Sequence, residues 1–100
     1  MNGFVLARAA QADLDNIWNY TEDTWSTEQA ERYTHMLRDA CGDLAAGQKI
    51  GRKADRFRSG YLQLSVGSHF IFYTVTSDGI VQVMRILHQQ MDIASRLRKK

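Results

Sequence analysis

The hydrophobic pattern near the N-terminus changes from a continuous run to a helical spacing. Residues 4–8 are mostly apolar and predict a short strand. From Ala9 the chain has high helix propensity and no β-branched run. Apolar or weakly polar side chains then recur at helical spacing: Ala10, Leu14, Ile17, Trp18 and Thr21. This spacing predicts a first helix with one face turned toward a core.

A second helix is predicted after residues 24–27, where the helical period breaks. Ser26 and Gln29 have the spacing of a capping box, in which side chains bond backbone groups that the helix leaves unpaired. The apolar stripe of this helix is Ala30, Tyr33, Leu37, Cys41 and Leu44. Gly47 follows the stripe and can adopt the left-handed conformation that closes a helix. The two helices are therefore predicted to form an αα-hairpin.

The second half of the chain has the pattern of a β-meander. Residues 48–58 hold five basic residues without a regular period, and we interpret them as a loop. The β-rich segments that follow are 61–66, 70–75 and 80–87. Gly67-Ser68 and Ser77-Asp78-Gly79 separate them and are typical of hairpin turns. The third segment is apolar on both faces apart from Gln82 and Arg85, which predicts a central strand.

The chain becomes polar after His88. Asp92 is predicted to cap a short helix in which Ile93 and Leu97 share one face, followed by a basic tail at residues 98–100. The predicted fold class is α+β: an N-terminal strand, an αα-hairpin, a three-stranded antiparallel meander and a short C-terminal helix. The hairpin is expected on one face of the sheet, with the N-terminal strand at an edge.

Length and composition predict one globular domain spanning residues 1–100. Hydrophobic residues make up 44% and charged residues 24%, which are ordinary values for such a domain. No apolar run is long enough to cross a bilayer, and the N-terminus lacks the features of a secretory signal. The only cysteine, Cys41, cannot form an intramolecular disulfide, so a reducing cytoplasm is expected.

Charge is divided unevenly along the chain. Residues 1–47 carry three basic residues against eight acidic ones, for a net charge of −5. Residues 48–100 carry ten basic residues against three acidic ones, for a net charge of +7. We therefore expect a basic surface separate from an acidic helical one, suited to an acidic protein segment or a nucleic acid.

Residues that could perform acid–base or metal chemistry are few. His35, His69 and His88 lie in different elements without metal-ligand spacing, and Cys41 on the apolar stripe is interpreted as a small buried hydrophobe. The sequence predicts no metal, no cofactor and no catalytic residue. Trp18 and Trp25, near the helical joint, are interpreted as core or staple residues.

The basic residues of the second half predict contact with a partner. Residues 49–58 and 96–100 could contact phosphates, although a solvated charged loop is the commoner explanation. Phe57 and Tyr61 alternate with the arginines of the first of these stretches. Arg and Tyr are enriched at protein interfaces, so partner binding is favoured there over simple solvation.

Four stretches of the chain resemble the RelE/ParE superfamily, and specifically its ParE branch. They are residues 9–20, 29–33 and 58–61, and the pair 67–73 with 84–92. The last pair is the most specific, since a strand ending in Arg85-Ile86-Leu87-His88 precedes a Met91-Asp92 step. The chain departs from many relatives at Arg8 and Ser26 and in the proline-free loop 46–51, which concerns caps and turns.

The resemblance implies the toxin of a type II toxin–antitoxin system. A ParD-like antitoxin would neutralise it in a hetero-oligomer, and the free toxin would inhibit DNA gyrase by protein binding and trap cleaved DNA. The resemblance implies no catalytic activity and no association with a membrane. It also implies no direct sequence-specific binding of nucleic acid. The residues predicted to bind the antitoxin or the target are Arg58, Tyr61, Tyr73, Arg85, His88 and Arg96.

Two alternatives remain open. Related ribosome-dependent ribonucleases of the RelE type cleave mRNA with basic residues and a histidine or tyrosine, for which Arg85 and His88 are candidates. Otherwise Arg85 pairs with a carboxylate and His88 caps the end of its strand. No tyrosine follows His88, which favours the non-catalytic function. The second alternative is a decayed or purely structural member of a complex.

Overall fold

The computed structural model describes residues 3–97 and contains the predicted succession of elements with one further strand. The elements are β1 (Phe4–Leu6), α1 (Arg8–Thr24), α2 (Thr27–Ala45), β2 (Arg52–Lys53), β3 (Leu62–Val66), β4 (His69–Val75), β5 (Val81–His88) and α3 (Ile93–Leu97). The α+β prediction is confirmed. The predicted basic tail at residues 98–100 lies outside the described residues.

The five strands form one sheet in the order β1-β5-β4-β3-β2. Strands β3, β4 and β5 make the predicted antiparallel meander, and β5 is central as expected. The N-terminal strand lies at the predicted edge but runs parallel to β5, so the sheet is mixed. A parallel pair needs a long crossover, and here the helical hairpin supplies it.

The loop prediction for residues 48–58 was wrong at Arg52–Lys53. These two residues pair with Gln63 and Leu62 and add β2 as the outer strand of the sheet. Two residues are too few to show a period of two, so the hydrophobic pattern could not predict this strand.

Local signals begin and end the helices much as predicted. The hydroxyl oxygen of Ser26 accepts the backbone N–H of Gln29 at 3.0 Å, which caps α2. Gly47 follows α2 with a φ of 76°, the left-handed conformation expected of it. Helix α1 begins at Arg8, one residue earlier than predicted, and Ala7 before it offers no side-chain cap.

Both faces of the sheet are covered. The helical hairpin packs on one face, where its buried residues meet Ile71, Tyr73 and Val83 of the sheet. On the opposite face a second cluster forms around Phe72 and Leu87, and α3 and the segment 54–61 cover it. The sequence did not predict this second cluster, because its members come from short, irregular segments.

Gly51 should tolerate no side chain. A Cβ there would lie 2.5 Å from the carbonyl oxygen of Gln63 and 2.7 Å from the hydroxyl oxygen of Tyr73. We expect Gly51→Ala to lower the free energy of unfolding by about 2 kcal/mol, because the clash involves backbone. Gly42→Ala is the control: it lies in α2 with open space around it and should raise stability by about 0.5–1 kcal/mol. Urea denaturation measures both, and equal effects would contradict the packing at Gly51.

Candidate functional site

The candidate site begins where the N-terminal edge strand, β1, ends. Strand β1 pairs only with residues 81–83, whereas β5 continues to His88. The side chain of Asp13, from α1, occupies the edge that β1 leaves open, and its Oδ2 accepts the N–H of Ile86 at 2.9 Å. A buried backbone N–H needs an acceptor, and Asp13 supplies it in place of a strand.

Arg85 is held by hydrogen bonds on all three nitrogens of its guanidinium. Its Nε and Nη2 donate to the two carboxylate oxygens of Asp13 at 2.8 and 2.9 Å, and its Nη1 donates to the carbonyl oxygen of Arg96 at 3.3 Å. The side chains of Arg85 and Asp13 are only 24% and 11% exposed. The hydrogen bonds with Asp13 raise the pKa of Arg85 above its ordinary value. The prediction that Arg85 pairs with a carboxylate is confirmed.

An irregularity in the sheet accompanies this geometry. The β4 neighbours Phe72 and Tyr73 pair with Arg85 and Val83, so Met84 is an extra residue in β5. Such a bulge changes the direction in which the following side chains point. It lies directly before Arg85, at the point where that residue leaves the regular pattern to meet Asp13.

A groove with a volume of about 710 Å³ opens beside this ion pair. Its lining also includes parts of both helices, the β3–β4 turn and the segment after β5: Asn16, Ile17, Tyr20, Trp25, Gln29, Tyr33, Ser68, His69, His88, Met91 and Arg96. We call it the hairpin groove. It combines apolar side chains with a few convergent polar ones, as binding sites commonly do.

The hairpin groove exposes an unusual amount of aromatic surface. Tyr20 is 67% exposed and Trp25 is 73% exposed. The interpretation of Trp25 as a core or staple residue was therefore wrong: α1 ends at Thr24, and Trp25 at the joint after it is exposed. Exposed apolar surface beside polar groups marks an interaction site.

Tyr33 and two histidines form a hydrogen-bonded cluster in the groove. The Tyr33 hydroxyl accepts the N–H of Ser68 at 3.0 Å and lies 2.7 Å from Nδ1 of His69. The ring of His69 meets that of His88 edge-on, with centroids 5.2 Å apart. Burial, and secondarily the neighbouring His88, lower the pKa of His69 to about 4, against a smaller opposing effect of Asp13. His69 is therefore uncharged at neutral pH.

His88 closes the end of its strand, as one of the two interpretations of its role predicted. Its Nδ1 accepts the backbone N–H of Gln90 at 3.1 Å. The N–H of Met91 also bonds the carbonyl oxygen of His88, so the chain turns tightly after β5 toward α3. His88 thus helps to position the segment after β5, which lines one side of the hairpin groove.

The structure brings three of the six predicted binding residues together. Arg85, His88 and Arg96 line the hairpin groove. Arg58 and Tyr61 lie next to each other elsewhere, with the guanidinium 5.2 Å from the ring centroid. Contact of these residues with a partner stays a prediction.

The two predicted tyrosines are core residues. Tyr61 is 7% exposed and Tyr73 is 3% exposed. The Tyr73 hydroxyl accepts the N–H of Gly51 at 2.8 Å, so it joins the sheet to the loop before β2. Little of either side chain is accessible to a partner in this conformation.

Sequence reasoning did not place most of the groove residues there, among them Asp13, Tyr20, Trp25, Tyr33 and His69. Asp13 resembles any charged residue off an apolar stripe, and its partner Arg85 lies 72 residues away. The only available signal was the isolated arginine in an otherwise apolar strand.

Within residues 3–97 no three His, Cys, Asp or Glu side chains are grouped as a metal would require. No helix in that range is long and apolar enough to span a membrane.

Comparison with known proteins shows which family the chain resembles. A family profile described as "ParE toxin of type II toxin-antitoxin system, parDE" matches residues 4–93. Toxin ParE1 of Mycobacterium tuberculosis is 47% identical over 94 residues, covering 94% of this chain and 96% of the relative. Toxin ParE1 of Caulobacter vibrioides is 38% identical over 98 residues, covering 97% and 99%.

Two solved structures share the fold. One is titled "Chromosomal ParDE TA system from P. aeruginosa" and has a TM-score of 0.75 at 23% identity, covering 88% of this chain and 96% of the other. The other is the toxin–antitoxin complex RelBE2 of Mycobacterium tuberculosis, with a TM-score of 0.56 at 13% identity, covering 88% and 98%. The fold is thus that of the small α+β proteins found in toxin–antitoxin complexes. The chain belongs to the ParE toxin family of type II toxin–antitoxin systems.

Loss of the Asp13 carboxylate should destabilise the fold. Asp13→Ala leaves Arg85 without its counter-charge and Ile86 without its acceptor, so we expect the free energy of unfolding to fall by about 3 kcal/mol. Asp13→Asn keeps an oxygen that can accept the N–H of Ile86, so it should lower the free energy of unfolding by less than Asp13→Ala does. Asp15→Ala, at an exposed position of the same helix, should change stability by less than about 0.5 kcal/mol. Chemical denaturation tests this, and equal losses for Asp13→Ala and Asp15→Ala would refute the role of Asp13.

The buried His69 should make stability depend on pH. The unfolded chain takes up this proton near pH 6.5 and the folded chain near pH 4, so stability should fall as the pH drops from 6.5 toward 4. His69→Asn keeps a hydrogen-bond acceptor, but the asparagine side chain does not titrate. The decrease in Tm between pH 7 and pH 5 should therefore be smaller in this variant than in the wild type. His35→Asn, at a 75% exposed side chain, should leave the fall unchanged. Thermal denaturation across this range decides, and identical slopes for both variants would contradict the prediction.

Proposed function

We propose that this toxin acts in the cytoplasm by binding DNA gyrase, and that a ParD-like antitoxin neutralises it in a hetero-oligomer. Membership of the ParE family supports both parts, and the two similar solved structures are titled as toxin–antitoxin assemblies. The observation that carries the proposal is that each nitrogen of the Arg85 guanidinium already donates a hydrogen bond within the fold, beside an exposed aromatic surface.

Engaged polar groups favour binding over bond chemistry. A general base needs a lone pair within reach of the proton that it removes. The Nδ1 atoms of His69 and His88 already bond Tyr33 and Gln90, so each ring has only its Nε2 atom left for a ligand. The guanidinium of Arg85 faces Asp13, so its charge is largely compensated before any ligand arrives. This supports a groove that recognises a protein by shape and contact.

The hairpin groove suits an amphipathic segment of the antitoxin. Tyr20 and Trp25 offer apolar surface on one side, and Arg96 offers a positive charge on the other. A helix with an apolar face and a carboxylate beside it would satisfy both, and disordered antitoxin segments can fold as they bind. Gyrase would then be contacted through the basic C-terminal half of the toxin when the antitoxin is absent.

A supercoiling assay with purified toxin and gyrase tests the target. We expect inhibition of supercoiling and an accumulation of cleaved DNA, both reversed by the antitoxin. The measurement is gel electrophoresis of plasmid DNA over a toxin titration. No inhibition and no cleaved DNA at excess toxin would reject gyrase as the target.

Calorimetric titration with the antitoxin tests the groove separately. Trp25→Ala should weaken binding at least about tenfold, because large aromatic side chains often dominate interface energy. The Tm should not change, since Trp25 is 73% exposed. Ile50→Ala is the matched control: that side chain is 85% exposed and lies outside the groove. Equal binding by the Trp25 variant and the wild type would place the antitoxin elsewhere.

A second candidate function is mRNA cleavage of the RelE type. The observation that favours it is that Arg85, His88 and Arg96 do converge on one groove large enough for a nucleotide. Incubation with ribosomes translating a defined mRNA tests it, with Arg85→Ala/His88→Ala as the variant. Absence of cleavage would reject this class of activity, and cleavage that survives the double replacement would reject the two residues.

A further inference from the structure

A concentrated group of cations lies on the outer strand of the sheet and the loop after it. Arg52, Lys53, Arg56 and Arg58 fall within seven residues, and Asp55 is the only acidic residue between positions 44 and 77. We call these four residues the basic edge. The ion pairs found within residues 3–97 involve other cations, namely Arg32, His35 and Arg85. The basic edge therefore keeps most of its charge uncompensated by carboxylates in the described part of the chain.

The backbone places this charge at the surface. Arg52 and Lys53 are both exposed, because β2 is the last strand of the sheet. Arg52 lies opposite Gln63, which lies opposite Phe72. Residues directly opposite in antiparallel strands share a face, so Arg52 belongs to the face that carries the second cluster, away from the helical hairpin. Lys53 lies opposite Leu62 and so points to the other face of the same outer strand.

Aromatic rings fix the positions of the two remaining arginines. The guanidinium of Arg56 lies 4.7 Å from the ring centroid of Phe57, and Phe57 packs edge-on against the fully buried Phe72. The guanidinium of Arg58 lies over Tyr61, which is also buried. Stacking holds a guanidinium while leaving N–H donors at its rim, so less side-chain entropy is lost when a ligand binds.

A polyanion with evenly repeated charges matches such a surface. Phosphate contacts provide most of the affinity of proteins for nucleic acids without reading sequence, and arginine donors fit phosphate oxygens well. We propose that the basic edge binds the phosphate backbone of double-stranded DNA without sequence preference. The choice of duplex DNA rests on the proposed function, because gyrase acts on a duplex.

The basic edge is separate from the hairpin groove. None of its four residues lines the groove, whose walls come from α1, α2, the β3–β4 turn, the end of β5 and the segment after it. A protein in the groove and DNA on the basic edge would therefore not compete for the same side chains. Such a toxin could hold an antitoxin segment in the groove and DNA on the basic edge at once.

Fluorescence anisotropy with a short labelled duplex of mixed sequence tests the proposal. For three to four phosphate contacts, log K should fall with log salt concentration with a slope between about −3 and −4. The double variant Arg52→Gln/Arg56→Gln should reduce the magnitude of this slope by about 2, because two phosphate contacts are lost. Arg32→Gln/Arg38→Gln, at exposed positions of α2, removes the same charge and should leave the slope unchanged.

The opposite results would overturn the inference. They are absence of duplex binding at low salt, an equal loss of slope in the two double variants, or tighter binding of a glutamate-rich peptide or an RNA hairpin than of the duplex. The supercoiling assay separates this inference from the proposed function. Gyrase inhibition without duplex binding would reject only the proposal that the basic edge binds DNA. Duplex binding without inhibition would reject only the proposal that gyrase is the target.

Discussion

The carboxylate of Asp13 is the group on which the arrangement of the groove depends. It accepts the N–H of Ile86 where β1 has ended, and it neutralises Arg85 with two hydrogen bonds. Arg85 in turn holds the carbonyl oxygen of Arg96 near the end of α3. One side chain therefore links the first helix, the central strand and the C-terminal helix.

This linkage explains why a charged pair is retained in a largely buried place. Burying a charge is unfavourable unless it is paired and hydrogen-bonded, and the Asp13 and Arg85 side chains meet that condition. A shorter apolar pair could fill the space, but it would leave the edge of β5 without an acceptor. The same pairing gives Arg85 a structural role, and the exposed side chains beside it are the aromatic Tyr20 and Trp25.

Much of the fold could be predicted from the sequence because its signals are local. The stripe through Leu37 and Cys41, the Ser26 cap and the turn glycines each act within a few residues, and the structure agrees with them. The groove could not be predicted in the same way, because Asp13 and Arg85 meet only after the sheet has formed. The burial of Trp25 and Tyr61 could not be predicted for a related reason: an aromatic residue beside a loop shows no period that tells burial from exposure.

The outer strands of the sheet also bear on how the free toxin behaves at high concentration. Strand β1 has three residues and β2 has two. Both residues of β2 are positively charged. Short outer strands offer few backbone groups to a second molecule, and the charges of β2 repel an identical copy at that edge, which disfavours growth into fibrils. A protein whose partner can be removed thus has a sheet whose rim resists self-assembly.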